Sequence, residues 1–183
     1  MRNVRANPRE GESRRLLRLI VAHTFNVLFL CTGNSARSIL AESYLNHIGQ
    51  RKVRAFSAGS FPKGAVHPLS LEVLQAHAVP VHDVRSKSWD EFATPGAPKM
   101  DLVITVCDNA AGEVCPIWPG APSKAHWSFP DPAEAQGTQA AKLAYFENVF
   151  ADIRAAVDRL AALPLGEMDA ATLKTRVSEI GPA

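Results

Sequence analysis

The segment Val27–Ser38 reads VLFLCTGNSARS. An apolar run stops on a cysteine, Cys31. An arginine, Arg37, follows six residues later with only small or polar residues between. If the apolar run is a strand and the residues from Ser38 onward are a helix, the loop Thr32–Ser38 wraps a helix N-terminus. The unpaired amides and dipole there attract an anion. Gly33 allows unusual backbone angles, so the amides of Thr32, Gly33, Asn34, Ser35, Ala36, Arg37 and Ser38 can turn inward as a nest. Arg37 adds a planar, permanently charged fork that binds two oxygens of a tetrahedral oxyanion. The same positive field is expected to lower the pKa of Cys31 and favour its thiolate. A thiolate on the floor of such a cradle is arranged to attack the central atom of phosphate or arsenate.

Other uses of a thiol fit the sequence less well. A core cysteine needs neither the loop composition nor the arginine. Zinc needs several ligands, and the chain has no Cys-x2-Cys or His-x3-His pair. A lipid anchor needs small residues before the cysteine, whereas Phe29 and Leu30 precede Cys31. Asn34, and Ser57 in Ser-Ala-Gly-Ser, are suited to hydrogen bonds that hold the loop. Ser38 is placed to donate to Cys31.

Further along, Cys107-Asp-Asn-Ala-Ala-Gly-Glu-Val-Cys115 brings two more thiols, and Phe129-Pro-Asp131-Pro132 fixes a carboxyl group between two prolines. Alone, Cys107 reads equally as a core residue and Cys115 as a loop residue. Asp131 alone reads equally as a cap or a solvated turn. The six histidines share no spacing, and Trp89, Trp118 and Trp127 read as packing groups.

The elements that must position these groups follow from periodicity. Strands are expected at Asn26–Leu30, Val53–Ala58, Asp101–Val106 and Ala125–Ser128. Helices are expected at Ser38–Ile48, stopped by Gly49, at His67–Ala78, at Thr138–Leu163 and, less regularly, at Ala170–Ile180. A helical turn is expected at Ser88–Phe92, and a plain loop from Cys107 to Pro122. Strands alternating with helices imply an α/β, compact three-layer doubly wound fold with a four-stranded parallel sheet. Ligands of such sheets lie beyond the carboxyl ends of the strands. Cys31 and Cys107 both sit at such ends, and neighbouring strands would place both thiols on one crevice.

Composition sets the outer bounds. The 183 residues are 46% hydrophobic, enough for one domain with a full core, here residues 26–183. Residues 1–25 carry six arginines against two glutamates and read as a basic, disordered extension; with a net charge of +2 for the whole chain, the rest is weakly acidic. A nucleic-acid binder wants a clustered basic face instead. Three cysteines do not make a secreted disulfide framework and suit a reducing, cytoplasmic setting. No run approaches the roughly 18 apolar residues of a membrane span.

Taken together, Cys-x5-Arg-Ser near the amino end and a later Asp-Pro resemble the low-molecular-weight protein tyrosine phosphatase family over about residues 26–163. CTGNSARS, SAGS, the paired cysteines and HWSFPDP are similar to its arsenate reductase branch. The resemblance implies that Asp131 is the general acid that protonates a leaving oxygen. It implies arsenate as substrate, with phosphate or sulfate as competing oxyanions, and no tightly bound cofactor. Arsenate reduction takes two electrons, so Cys107 is expected to attack Cys31 and release arsenite. Cys115 then attacks Cys107 and carries the disulfide outward to an external thiol reductant. The donor stays open between thioredoxin, glutaredoxin with glutathione, and a mycothiol system, because seven residues separate Cys107 from Cys115 while thioredoxin-coupled relatives have a shorter gap. Ala36 stands where some reductases hold an extra cysteine. Some relatives bind potassium beside the cradle; Asn34, Glu42, Ser57 and Asp83 match those positions. Phosphatases of the family carry aromatic residues after Asp-Pro, whereas Ala133, Glu134 and Ala135 follow here, so no aromatic wall is expected. The alternatives are a phosphatase acting on phosphoprotein, and an oxyanion-binding regulator without turnover.

Overall fold

The structure is a computed structural model and describes residues 23–49, 52–112 and 116–182. The basic extension expected at residues 1–25 lies almost wholly outside the described residues, as does Cys115.

Four parallel strands form one sheet in the order β2-β1-β3-β4: β1 is Phe25–Cys31, β2 Val53–Gly59, β3 Leu102–Thr105 and β4 Ser123–His126. β1 is central and covered on both faces, which is why its apolar residues run without alternation. Phe25, Val27, Phe29 and Cys31 join one core, while Leu28 and Leu30 point into the other. The helices are α1 (Arg37–Ile48), α2 (Pro68–Ala76), α3 (Asp108–Gly112), α4 (Gln139–Ala161) and α5 (Ala170–Ser178). The main core lies between the sheet and α1, α2, α4 and α5. α4 supplies Phe146, Val149, Phe150, Ile153, Val157 and Leu160. Each such side chain contributes about 1.5–3 kcal/mol on burial. The opposite face is a thinner layer: the 3-10 turn Trp89–Phe92, with Met100 and Trp118, covers Leu28, Leu30, Ala58 and Val103. The doubly wound parallel architecture is therefore the one the residue pattern implies. Among the described residues no helix is long and apolar enough to cross a membrane.

Three local expectations are corrected. β4 begins at Ser123 and ends at His126, two residues earlier than Ala125–Ser128, because Ser123 N–H already bonds Asp101 O at 3.0 Å and the chain turns away once Trp127 N–H has bonded Thr105 O at 2.8 Å. The stretch after Cys107 is not all loop: Asp108–Gly112 forms α3, with Ala110 buried against the core. This single turn is too short for periodicity to reveal. Helix ends also differ by a residue or two: Pro68 takes the first position of α2, where its missing N–H costs nothing, and His67 becomes the N-cap.

Candidate active site

The register sets the site. Cys31, last residue of β1, is level with Gly59, last residue of β2. On the other side Leu30 pairs with Thr105, and Val106 N–H bonds Leu30 O at 2.7 Å, which brings Cys107 beside the start of the Thr32–Ser38 loop. Thr32 Oγ1 and Cys107 Sγ are 3.8 Å apart. Both cysteines are free thiols and buried, 3% exposed each. The expected adjacency of the two strands is present, and it sets Cys107 next to Thr32 at the carboxyl ends of the sheet.

The loop is held shut by a buried polar network. Asn34 N–H donates to Cys31 Sγ at 3.1 Å, and Asn34 adopts φ 41°, a left-handed angle that asparagine tolerates better than most residues. Its side chain is fully engaged: Nδ2 donates to Ser38 Oγ and to Ser57 Oγ, both at 2.9 Å, and Oδ1 accepts from Lys87 N–H at 2.8 Å. That last bond fixes the amide orientation, since a backbone N–H needs an oxygen. Ser57 donates to Glu42 Oε2 at 2.5 Å, so it must accept from Asn34. Ser38 accepts from Asn34, which leaves its own O–H to donate to Cys31 Sγ at 2.9 Å. Gly59 closes the floor. A Cβ there would lie 2.4 Å from Thr32 O and 3.0 Å from Asn34 N, so only glycine lets β2 approach the cradle.

The thiol does not follow the sequence expectation. Burial pushes the pKa of Cys31 up, the Ser38 hydroxyl pulls it down, Cys107 adds a smaller upward push, and the amides of Ser38 and Asn34 pull down again. Desolvation outweighs the helix-end field that pointed to a lowered value. Arg37 is held by the Asp-Pro segment: its guanidinium donates to Phe129 O at 3.0 Å and to Asp131 Oδ2 at 2.8 Å. Asp131 Oδ1 accepts from Ala133 N–H at 3.0 Å, so the Pro-Asp-Pro turn presents the carboxylate to the cradle arginine. That contact spans 94 residues of sequence.

Cys31, Arg37 and Asp131 share one pocket of about 210 Å³ with the loop residues Thr32, Gly33, Ser35 and Ala36. Three lining residues were not singled out in the sequence: Phe61, Lys63 and Asn109. Lys63 N–H bonds Gly33 O at 2.9 Å, and its side chain passes over Gly33. A lysine four residues after Ser-Ala-Gly is the signal that could have found it. Phe61 is 73% exposed at the pocket, and Tyr145 lines a groove with Asp131, Glu134 and Ala135. No aromatic residue follows Asp-Pro, where Ala133, Glu134 and Ala135 stand; the aromatic ring at the Cys31 pocket is Phe61, from the loop after β2, and Tyr145 of α4 lies in the separate groove beyond Asp131.

Of the four positions matched to potassium, Asn34, Ser57 and Glu42 lie in one network, while Asp83 is exposed. Among the described residues no group of three or more His, Cys, Asp or Glu side chains converges as metal ligands. The buried ammonium of Lys87 lies beside Glu42 and Ser57.

The arrangement can hold a small tetrahedral oxyanion over a sulfur nucleophile, with a carboxyl group at one side and a second, buried thiol behind Thr32 of the loop. The chain is 35% identical over 136 residues to an arsenate reductase of Bacillus licheniformis, spanning 74% of this chain and 94% of that one. It is 34% identical over 123 residues to an arsenate reductase of Bacillus subtilis, spanning 67% and 85%. Its fold matches a thioredoxin-dependent arsenate reductase of Corynebacterium glutamicum with a TM-score of 0.51 and 29% identity, over 79% of this chain and 69% of that one. The model of the low molecular weight phosphotyrosine protein phosphatase matches residues 26–177, nearly all of the described chain, and with these relatives it shows that the chain belongs to that family.

Proposed function

We propose that the protein is an arsenate reductase that uses Cys31 as nucleophile and Cys107 as the first resolving thiol. One observation carries the reading: of two buried free cysteines, Cys31 ends β1 at the floor of an oxyanion cradle and Cys107 follows the end of the adjacent parallel strand β3 by two residues. The arsenate reductase relatives give the oxyanion its identity.

In this reading the loop amides and Arg37 bind arsenate. Cys31, as thiolate, attacks arsenic. An As–S bond forms and an arsenic-bound oxygen leaves as water, with its proton from Asp131. Cys107, as thiolate, attacks Cys31 Sγ. The S–S bond forms while the As–S bond breaks, and its electron pair stays on arsenic, which departs as arsenite. Arsenic gains the two electrons that the two sulfurs lose. Cys115, three residues beyond α3, then attacks Cys107 and frees Cys31. An external thiol system (thioredoxin, glutaredoxin with glutathione, or mycothiol) reduces the Cys107–Cys115 disulfide. The thioredoxin-dependent relative favours the first of these donors. No tightly bound cofactor is needed.

Phe61 beside the pocket supports a second reading, hydrolysis of an aryl phosphate, because an exposed ring there can face an aromatic ester. That reaction needs Cys31, Arg37 and Asp131 but no further thiol. The two readings separate in one assay: arsenite formation with each reductant, and aryl-phosphate hydrolysis, for wild type and Cys115→Ser. The reductase reading expects arsenite from wild type, loss of multiple turnover in Cys115→Ser, and aryl-phosphate hydrolysis equal in both. Aryl-phosphate hydrolysis without arsenite from wild type under any reductant would transfer the site to the second reading.

A further inference from the structure

Lys87 stands in the polar segment Arg85-Ser-Lys-Ser88, with no periodicity to mark it. It is nevertheless only 8% exposed, an uncommon state for a lysine. Its ammonium has three N–H donors. Three oxygens lie around it, each 3.4 Å from Nζ: Glu42 Oε2, Ser57 Oγ and the Arg85 carbonyl. A carboxylate, a hydroxyl and a carbonyl are the oxygen types that hold a hard monovalent cation. Here they surround a covalently attached one. The main chain of the same residue is tied to the cradle, with Lys87 N–H on Asn34 Oδ1 and Gly59 N–H on Lys87 O at 2.9 Å.

The residues matched to a potassium site do not suit a free ion in this setting. Asn34 turns its Nδ2 donors toward Ser57 and has its oxygen committed to Lys87 N–H. Asp83 is exposed, at φ 61°. It lines the same cleft as Glu42 and Lys87. Glu42 and Ser57 are the two that remain, and both face the ammonium.

From this geometry we infer that Lys87 is a built-in cation: its ammonium takes the place of a bound potassium ion and braces the oxyanion loop through Ser57 and Asn34, so that activity does not depend on potassium. Lys87 is a positioning residue. It reaches Cys31 through Ser57, Asn34 and Ser38, and does not touch the pocket. Burial pushes the Glu42 carboxyl up while Lys87 pulls it down, in keeping with an ammonium that offsets the cost of burying this carboxylate.

The inference rests on reading the cradle as an oxyanion site, and its test avoids arsenate turnover. Inorganic phosphate is the probe, read as protection of Cys31 from iodoacetamide, in matched sodium, potassium and ammonium chloride. Wild type is expected to be protected equally in all three salts. Lys87→Ala leaves space at Nζ and should need about tenfold more phosphate in sodium, a coupling of ordinary size. Potassium or ammonium should recover much of that loss, which a purely structural role would not permit. Three results would overturn the inference: potassium-dependent protection of wild type, unchanged protection in Lys87→Ala, or a loss that neither cation relieves. If Lys87→Ala fails to fold, the wild-type salt comparison decides alone. Absence of arsenite formation would instead count against the reductase reading and leave these protection curves readable.

Discussion

At the scale of single residues, the chemistry of Cys31 is set by a contest between burial and hydrogen bonds. Burial raises its pKa, and the Ser38 hydroxyl is the largest opposing influence. Ser38→Ala removes that donor, so the thiol should ionise at higher pH. Iodoacetamide alkylation followed against pH should show its midpoint moving upward. The rate at neutral pH should fall about tenfold, the worth of one hydrogen bond to a charged group. An unmoved midpoint would mean that the Asn34 and Ser38 amides suffice. Much at this scale was legible in sequence, because Cys31, Arg37 and the small residues between them carry a chemical pattern by themselves. The pKa direction was not, since it depends on desolvation by side chains from distant segments. Lys87 was not legible either: its ammonium is placed by Glu42 and Ser57, 45 and 30 residues away.

At the scale of elements, the close approach of β2 to the cradle depends on Gly59. In Gly59→Ala the new methyl meets Thr32 O and must push the loop or the strand aside. Denaturant unfolding should show a loss of about 1–3 kcal/mol, the usual range for overpacking. α2 makes a second, pH-dependent case. Its N-cap is His67, whose Nδ1 accepts Leu69 N–H at 3.2 Å while the ring stacks on Phe146 at 4.7 Å. An accepting Nδ1 is unprotonated, and burial with Lys63 nearby lowers the His67 pKa. The unfolded chain therefore binds this proton more readily than the fold does. The cap's contribution is present above the ordinary value of 6.5 and is lost as pH falls below it toward the folded value. The loss should be about 1 kcal/mol, typical of an N-cap. His67→Asn keeps a capping oxygen without a titrating ring. Its stability should stay flatter than wild type across that window in thermal unfolding at stepped pH; parallel profiles would exclude His67 as the cause. The strands and longer helices were legible because each has enough residues to show a period. α3 was read as loop because five residues show no helical period, and β4 was placed two residues late because Ser123-Lys-Ala-His lacks the apolar run that marks the equally short β3.

At the scale of the whole molecule, the sheet order does what no local segment can. It sets β1 beside β3, and so brings residue 107 beside the loop that follows residue 31, while the Asp-Pro turn after β4 lays Asp131 against Arg37. Strand alternation in the sequence pointed to a parallel sheet with ligand chemistry at its carboxyl edge, but adjacency of the two strands stayed conditional. It is decided by which apolar faces the helices cover, a property of the assembled core. The central claim is that this adjacency makes Cys107 the thiol that resolves Cys31. The most direct measurement is arsenite production by wild type and Cys107→Ser, with the thiol reductant in excess and aryl-phosphate hydrolysis as the control for an intact Cys31 cradle. Arsenite from wild type, none beyond background from Cys107→Ser, and retained hydrolysis in that variant are the expected results. Undiminished arsenite production by Cys107→Ser would contradict the account.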